Sequence, residues 1–398
     1  MRGRILLGLA VLLAAALGLN YLRPVPAVAA TSSVVSQKTI AGSPPALPWP
    51  STGSAAVGVS GLGKVADSGN ETQIPTASVA KVMTALVVMH DKPLGLGQTG
   101  PSITVTDEDV QAYQTDLQQK QSVVAVQAGE VLTQYQALQA MLIPSGNNIA
   151  ELLARWDAGS VQAFIDRMNE RARSLGLTKS KFADPAGADS GTVSTAGELL
   201  ALGMVVMADR VIAQIVSLPQ VQLPVAGVKY NVNAALGHDG IVGIKTGSGL
   251  AEGANFLFAA TVTVSGHQVT IFGCVTGQPT LDAAFSAARG LIRAMQPALT
   301  VKQELARNQA VGGYDTPWGL HSDLISTVDV PMVEWPGMIL RERLDARVLN
   351  LDKPVNPGTP AGTLHVVLGD YELDVPVVTA SQLYPPGRFW RLTRLPKL

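Results

Sequence analysis

The hydrophobic pattern changes along the chain, and each change marks a segment. Ile5 to Leu19 is an unbroken run of Leu, Ala, Gly, Val and Ile behind Arg2 and Arg4. A basic start, an apolar centre and the exit Ala27-Val28-Ala29 have the form of a signal peptide, residues 1–29, cleaved after Ala29. Ile5 to Leu22, flanked by Arg23, is also long enough to cross a bilayer as an uncleaved signal anchor. Either way the rest of the chain is expected in the extracytoplasmic cell envelope, secreted or membrane-anchored. Residues 30–53, rich in Ser, Ala and Pro and ending Pro44-Pro45-Ala46-Leu47-Pro48-Trp49-Pro50, predict an extended linker.

From Ser54 the pattern is that of a folded domain. Ala55 to Ser60 and a short segment at Val65 read as strands joined by Gly61-Leu62-Gly63. Pro75 to Met89 starts as a helix and is apolar all round from Val79, which predicts burial at the domain centre. Tyr135, Leu138, Met141 and Leu142 mark one face of a second helix, which stops at Pro144. Ile149 to Trp156 reads as a third, and Ser160 caps a fourth that ends at Gly176. Then come three strand patterns: Ile241 to Gly247, Asn255 to Val264, and His267 to Val275 after the turn Ser265-Gly266. A helix capped by Thr280 follows and ends at Pro297. These elements predict an α/β (α+β) domain over residues 54–298: an antiparallel sheet flanked by helices, with an all-helical subdomain. Short strands from Val328 to Val378, with a hairpin turn at Gly369-Asp370, predict a small all-β domain over 299–398. The final stretch from Gly387 is expected as a docked strand rather than a membrane-touching helix.

Composition narrows the chemistry. The net charge of −1 gives no basic excess for nucleic acid. Cys274 is the single cysteine, so no intrachain disulfide forms, and its apolar neighbours predict a buried strand thiol. The 5 histidines show no metal-ligand spacing, and nothing implies a metal or other cofactor.

Ser78-Val79-Ala80-Lys81 carries the most informative chemistry. A spacing of three puts Ser78 and Lys81 on one helix face. A lysine in an apolar helix is costly unless paired or deprotonated, and a neutral lysine beside a hydroxyl is a base for it. The plain alternative is a capped helix with a lysine reaching to solvent. Downstream stand Ser145-Gly146-Asn147, in a loop between helices, and Lys245-Thr246-Gly247, at a strand end. Taken alone, the first reads equally as a helix cap and the second as a solvated charge.

In this order and context the three motifs resemble the penicillin-recognising serine hydrolases, and most of all the low-molecular-weight D-alanyl-D-alanine carboxypeptidases. The resemblance extends to Phe182-Ala183-Asp184-Pro185-Ala186-Gly187 and Ser194-Thr195-Ala196-Gly197-Glu198-Leu199, and covers Ser54 to Pro297. It implies peptidoglycan stem peptides ending in D-Ala-D-Ala as substrate and acylation by β-lactams. It also implies Ser78 as nucleophile, Lys81 as base and Ser145 as proton relay. Asn147, Lys245, Thr246, Gly247 and Ser248 would hold the substrate, with the backbone N–H groups of Ser78 and Ser248 facing the oxyanion. Ser248-Gly249 departs from the family, which often has an aromatic or histidine and then threonine after the third motif. Two rivals remain. A serine β-lactamase needs a deacylating glutamate with an asparagine four residues on, a pair missing from the Ala183–Gly187 loop. A non-hydrolytic penicillin-binding sensor or scaffold would have less need of every motif intact.

Overall fold

The computed structural model describes residues 2–249 and 253–394. It divides into two compact units: Ser43–Thr300, and the residues up to Gly42 together with those from Val301 on.

The first unit is built on a five-stranded antiparallel sheet. Its strand order is Ile241–Gly249, Gly253–Val264, His267–Gln278, Ser54–Val59, Gly63–Asp67. The central strands are apolar on both sides because both faces are covered. On one face Phe256 meets Phe285 of helix Leu281–Met295 edge-on, centroids 4.9 Å apart. On the other, Leu257 packs on helix Ala196–Met207, where a side chain at Gly203 would fall 2.8 Å from Leu257 Cδ1. The helical section holds Lys81–Asp91, Gln134–Leu142, Asn147–Ala158 and Val161–Ser174 around one apolar cluster. Ser160 caps the last of these through Ala163 N, as its sequence predicts. The antiparallel sheet with flanking helices and the helical section match the expected fold class. Cys274 is fully buried in its strand, and burial pushes its thiol pKa up.

One helix, whose apolar face is sparse, was not expected. Asp107–Gln118 is mostly polar and is started by a reciprocal cap, in which Thr106 Oγ1 accepts from Asp109 N and Asp109 accepts from Thr106 N.

The second unit is a seven-stranded antiparallel sheet and corrects two expectations. Ala30–Ser32 pairs with Ala310–Asp315, and Gln37–Thr39 pairs with Ile339–Ala346. Residues 30–42 are therefore part of a sheet rather than a linker. Their two short strands occupy its two edges, which protects the backbone there from stray pairing. The C-terminal stretch is not a strand either. Arg388–Thr393 is a short helix. Trp390 holds it in place, donating from Nε1 to Pro317 O at 3.2 Å and lying edge-on to Trp318. Residues 395–398 of the expected final strand lie outside the described residues. The hairpin at Gly369-Asp370 forms as expected, with Gly369 at φ +61°.

In the central sheet Phe258 pairs with Gly273, and its ring lies where a Gly273 Cβ would sit, 2.2 Å from Cζ. Gly273→Ala is therefore expected to cost about 1–3 kcal/mol by overpacking. Thermal unfolding checks this, and an unchanged melting temperature would show that the ring has room to move.

Candidate active site

Ser78 lies in a 3₁₀ turn, Ala77–Ala80, that runs into helix Lys81–Asp91. No side chain caps this start, so Ser78 is not spent as a cap. The turn is entered through Ala77 at φ +46°, a conformation that costs a non-glycine residue free energy and is kept only where the surroundings enforce it. Here Gly187 presses on it from one side, since a Cβ there would fall 1.8 Å from Ala77 O. Asn255 holds it from the other. Its Nδ2 donates to Pro75 O (3.0 Å) and Thr76 O (3.2 Å). Its Oδ1 accepts from Gly277 N. Asn255 was missed in the sequence. The signal was a lone amide heading an apolar strand, where a buried polar group needs partners.

Lys81 is fully buried. Its Nζ lies 2.8 Å from Ser78 Oγ, 2.6 Å from Asn147 Oδ1 and 2.9 Å from Ala186 O. Burial drives its pKa well below the ordinary lysine value, and the Lys245 charge adds to this; Asp184 and Asp116 pull less strongly the other way. A neutral amine has two N–H groups and one lone pair. With the N–H groups given to Asn147 and Ala186, the lone pair faces Ser78.

Ser145 stands at φ +67° between two helices, and no side chain caps the helix that follows it. Lys245 reaches it from the edge strand, with Nζ 3.0 Å from both Ser145 Oγ and Thr246 O. Lys245 is also buried, and its pKa falls to about 7 by burial. Gly247 lets the edge strand pass beside Ser78, since a Cβ there would lie 2.6 Å from Thr76 O and 3.1 Å from Ser78 N. Thr246 is buried next to it, and Ser248 is exposed at the strand's end.

Ser78, Asn147 and Ser248 share one cleft of about 530 Å³ with the segment Gln119-Lys120-Gln121-Ser122 and with Gly187 and Ala188. The structure thus brings all three motifs to one place. Lys81 and Lys245 sit behind the cleft, each bonded to a hydroxyl of another motif residue. No carboxylate lines the cleft among the described residues. Asp184 lies in the nearby loop, but its carboxylate accepts from Ala186 N, Ala188 N and Thr192 Oγ1. Asp116, also missed, is a buried carboxyl whose Oδ2 has no hydrogen-bond partner. Burial, with help from Glu151, raises its pKa to about 6. The other copy of Ser-Gly-Asn, at Ser68, follows strand Gly63–Asp67 and does not line the cleft.

Comparison with known proteins agrees with this geometry. Residues 52–275 match the family model Peptidase_S11, D-alanyl-D-alanine carboxypeptidase. Among curated relatives, the chain is 33% identical over 153 residues to a D-alanyl-D-alanine endopeptidase of Pseudomonas aeruginosa, covering 38% of this chain and 46% of that protein. It is 32% identical over 193 residues to the D-alanyl-D-alanine carboxypeptidase DacB2 of Mycobacterium tuberculosis, covering 47% of this chain and 62% of that one. The matched stretches thus span about half the length of these relatives. In fold it is similar to penicillin binding protein 5 from Haemophilus influenzae, with a TM-score of 0.63 at 18% identity, over 87% of this chain and 100% of that one. With a family model that spans more than half its length, the chain belongs to the Peptidase_S11 family of D-alanyl-D-alanine carboxypeptidases.

Proposed function

We propose that this protein is a serine-type D-Ala-D-Ala carboxypeptidase that trims peptidoglycan stem peptides through an acyl-enzyme on Ser78 and is acylated by β-lactams. The observation that carries this is the contact of a buried, charge-disfavoured Lys81 amine with Ser78 Oγ at 2.8 Å. Lys81 takes the Ser78 proton as Oγ attacks the carbonyl of the penultimate D-alanine. The tetrahedral oxyanion is held by the backbone N–H groups of Ser78 and Ser248. Ser145, its hydroxyl held by Lys245, gives its proton to the leaving amine and is reprotonated with the proton Lys81 took from Ser78. Protonated Lys245, with Thr246, holds the terminal carboxylate, and Asn147 holds the substrate amide. The substrate backbone lies along the edge strand at Gly247. Water then releases the shortened peptide.

The cleft favours this over a β-lactamase. That enzyme needs a general base for its second step, and the described lining holds no carboxylate. The loop from Ala183 to Gly187 instead offers Lys81 a backbone carbonyl. A β-lactam acyl-enzyme is therefore expected to persist.

The N-terminus bears on location. Arg2–Leu22 is a helix whose stretch from Gly3 is long and apolar enough to span a membrane. We read it as a retained anchor rather than a cleaved signal. Val28, inside the Ala-x-Ala exit, is buried and exchanges backbone hydrogen bonds with Leu349, and the sheet begins two residues later. The end of the helix is also tied to the C-terminal helix. Asn20 Nδ2 donates to Leu392 O and Arg394 O, both at 2.8 Å, and Arg394 donates back to Asn20 O and Pro24 O.

Three outcomes are expected. Intact-mass measurement after exposure to a penicillin should show one lasting adduct on the wild type and none on Ser78→Ala; an adduct on both would remove the mechanism. The pH profile of kcat/KM on a D-Ala-D-Ala peptide should be a bell. Activity should fall at acid pH as Lys81 gains its proton, and at alkaline pH as Lys245 loses its own through about 7. Lys245→Arg keeps the charge at all these pH values, so its alkaline limb should move up or vanish; an unmoved limb would take Lys245 out of carboxylate binding. Protein extracted from membranes should retain the residues before Ala30, and a mature chain beginning at Ala30 would overturn the anchor.

A further inference from the structure

Gln121, which no motif of the sequence singles out, stands directly behind the Asn147–Lys81 contact. Asn147 Nδ2 donates to Gln121 Oε1 at 2.5 Å, and Gln121 Nε2 donates to Gln119 Oε1 at 2.6 Å. The segment that carries it is well fixed. Helix Asp107–Gln118 ends, Lys120 reverses the chain at φ +57°, and Gln121 N donates to Asp116 O at 2.9 Å. Asn147 N in turn donates to Ser122 O at 2.8 Å. Three amides thus form one chain from Lys81 to the rim of the cleft, with every N–H pointing outward and every oxygen pointing toward the lysine.

The direction of this chain matters to the base. An asparagine amide can rotate half a turn with little change in shape. Reversed, Asn147 would aim Nδ2 at the Lys81 amine, where an N–H competes with Ser78 for the lone pair. Gln121 prevents this, because the same reversal would set Asn147 Oδ1 against Gln121 Oε1, two acceptors with no proton between them. On its far side Gln121 Nε2 meets an acceptor, Gln119 Oε1, which favours the same orientation.

We propose that Gln121 is a positioning residue for acylation: by accepting from Asn147 Nδ2 it locks the Asn147 amide with its oxygen on Lys81, which leaves the lysine lone pair to Ser78. The proposal rests on the reading of Ser78 and Lys81 as nucleophile and base. Gln121 also lines the cleft, so a direct contact with substrate is the competing role. The two separate cleanly. A positioning residue affects the acylation rate by every acyl donor, small β-lactams included, and leaves KM for the peptide nearly unchanged. A substrate contact changes KM for the peptide and spares the small β-lactam.

The test compares full-length wild type, Gln121→Ala and Gln121→Glu by rate of penicillin acylation, peptide kcat and KM, and melting temperature. Gln121→Ala should lower both acylation and kcat about tenfold, the worth of one ordinary hydrogen bond, with KM within about twofold. Gln121→Glu keeps an acceptor facing Asn147 Nδ2 and should regain most of the plateau rate. Its acid limb should move to higher pH, because a nearby carboxylate favours the lysine ammonium. Wild-type acylation by Gln121→Ala, a loss confined to KM, or a Glu variant no faster than Ala on the plateau would each overturn the proposal. Wild-type labelling that persists in Ser78→Ala would instead overturn the reading beneath it.

Discussion

The active site depends on how one amine is surrounded. Lys81 is fully buried, has no ion-pair partner among the described residues, and contacts a hydroxyl, an amide oxygen and a backbone carbonyl through its Nζ. A full charge there would lack most of its solvation, so the neutral form is favoured. Neutrality alone does not make it a base for Ser78; the lone pair has to point at the hydroxyl. Asn147 Oδ1 and Ala186 O take the two N–H groups and leave the third direction to Ser78 Oγ. These acceptors come from distant parts of the chain. The helical section supplies Asn147, and the loop after Phe182 supplies Ala186. Much of the unit's architecture serves to bring them to opposite sides of one nitrogen.

The second buried lysine shows how position changes the task. Lys245 is as buried as Lys81, yet its pKa settles at about 7. It can still carry charge near neutral pH, and an arriving carboxylate would favour that charge further. Its place on an edge strand, beside a backbone stripped of side chain at Gly247, lets it face an extended substrate end. Lys81 is set inside a helix instead and meets only the nucleophile, an amide and a carbonyl. Burial lowers both pKa values, well below the ordinary lysine value at Lys81 and to about 7 at Lys245.

Much of this was legible in the chain. Apolar strands such as Gly253–Val264 and helices with a clear stripe or cap, such as Val161–Ser174, follow from local pattern because burial itself writes that pattern. The three motifs were visible for the same reason that they work, since their chemistry needs particular side chains at short spacing. What stayed hidden depended on partners far away in sequence. Ala30–Ser32 and Gln37–Thr39 are exposed and weakly patterned, and become strands only because a sheet elsewhere has two open edges. The last described residues form a short helix rather than a strand of that sheet. Asp107–Gln118 turns only Val110 and Tyr113 to the core, and its clearest mark in the chain is the reciprocal cap.

Gln121 was hidden for a subtler reason. A glutamine after a polar helix has no sequence signature, and its significance lies wholly in which atom of Asn147 it faces. Hydrogen bonds between amides have direction, and a chain of them transmits that direction without any charge. In the proposal, Gln121 orients Asn147 and Asn147 orients the lysine lone pair. The nucleophile is therefore aimed by groups that are neutral at every pH, while the amine they aim is the group that titrates. Separating orientation from ionisation in this way lets the site keep its geometry when Lys81 gains a proton, because both of its N–H acceptors remain acceptors for an ammonium. In the proposed mechanism the third N–H then turns to Ser78 Oγ, so the contact that would activate the hydroxyl at high pH would block it at low pH.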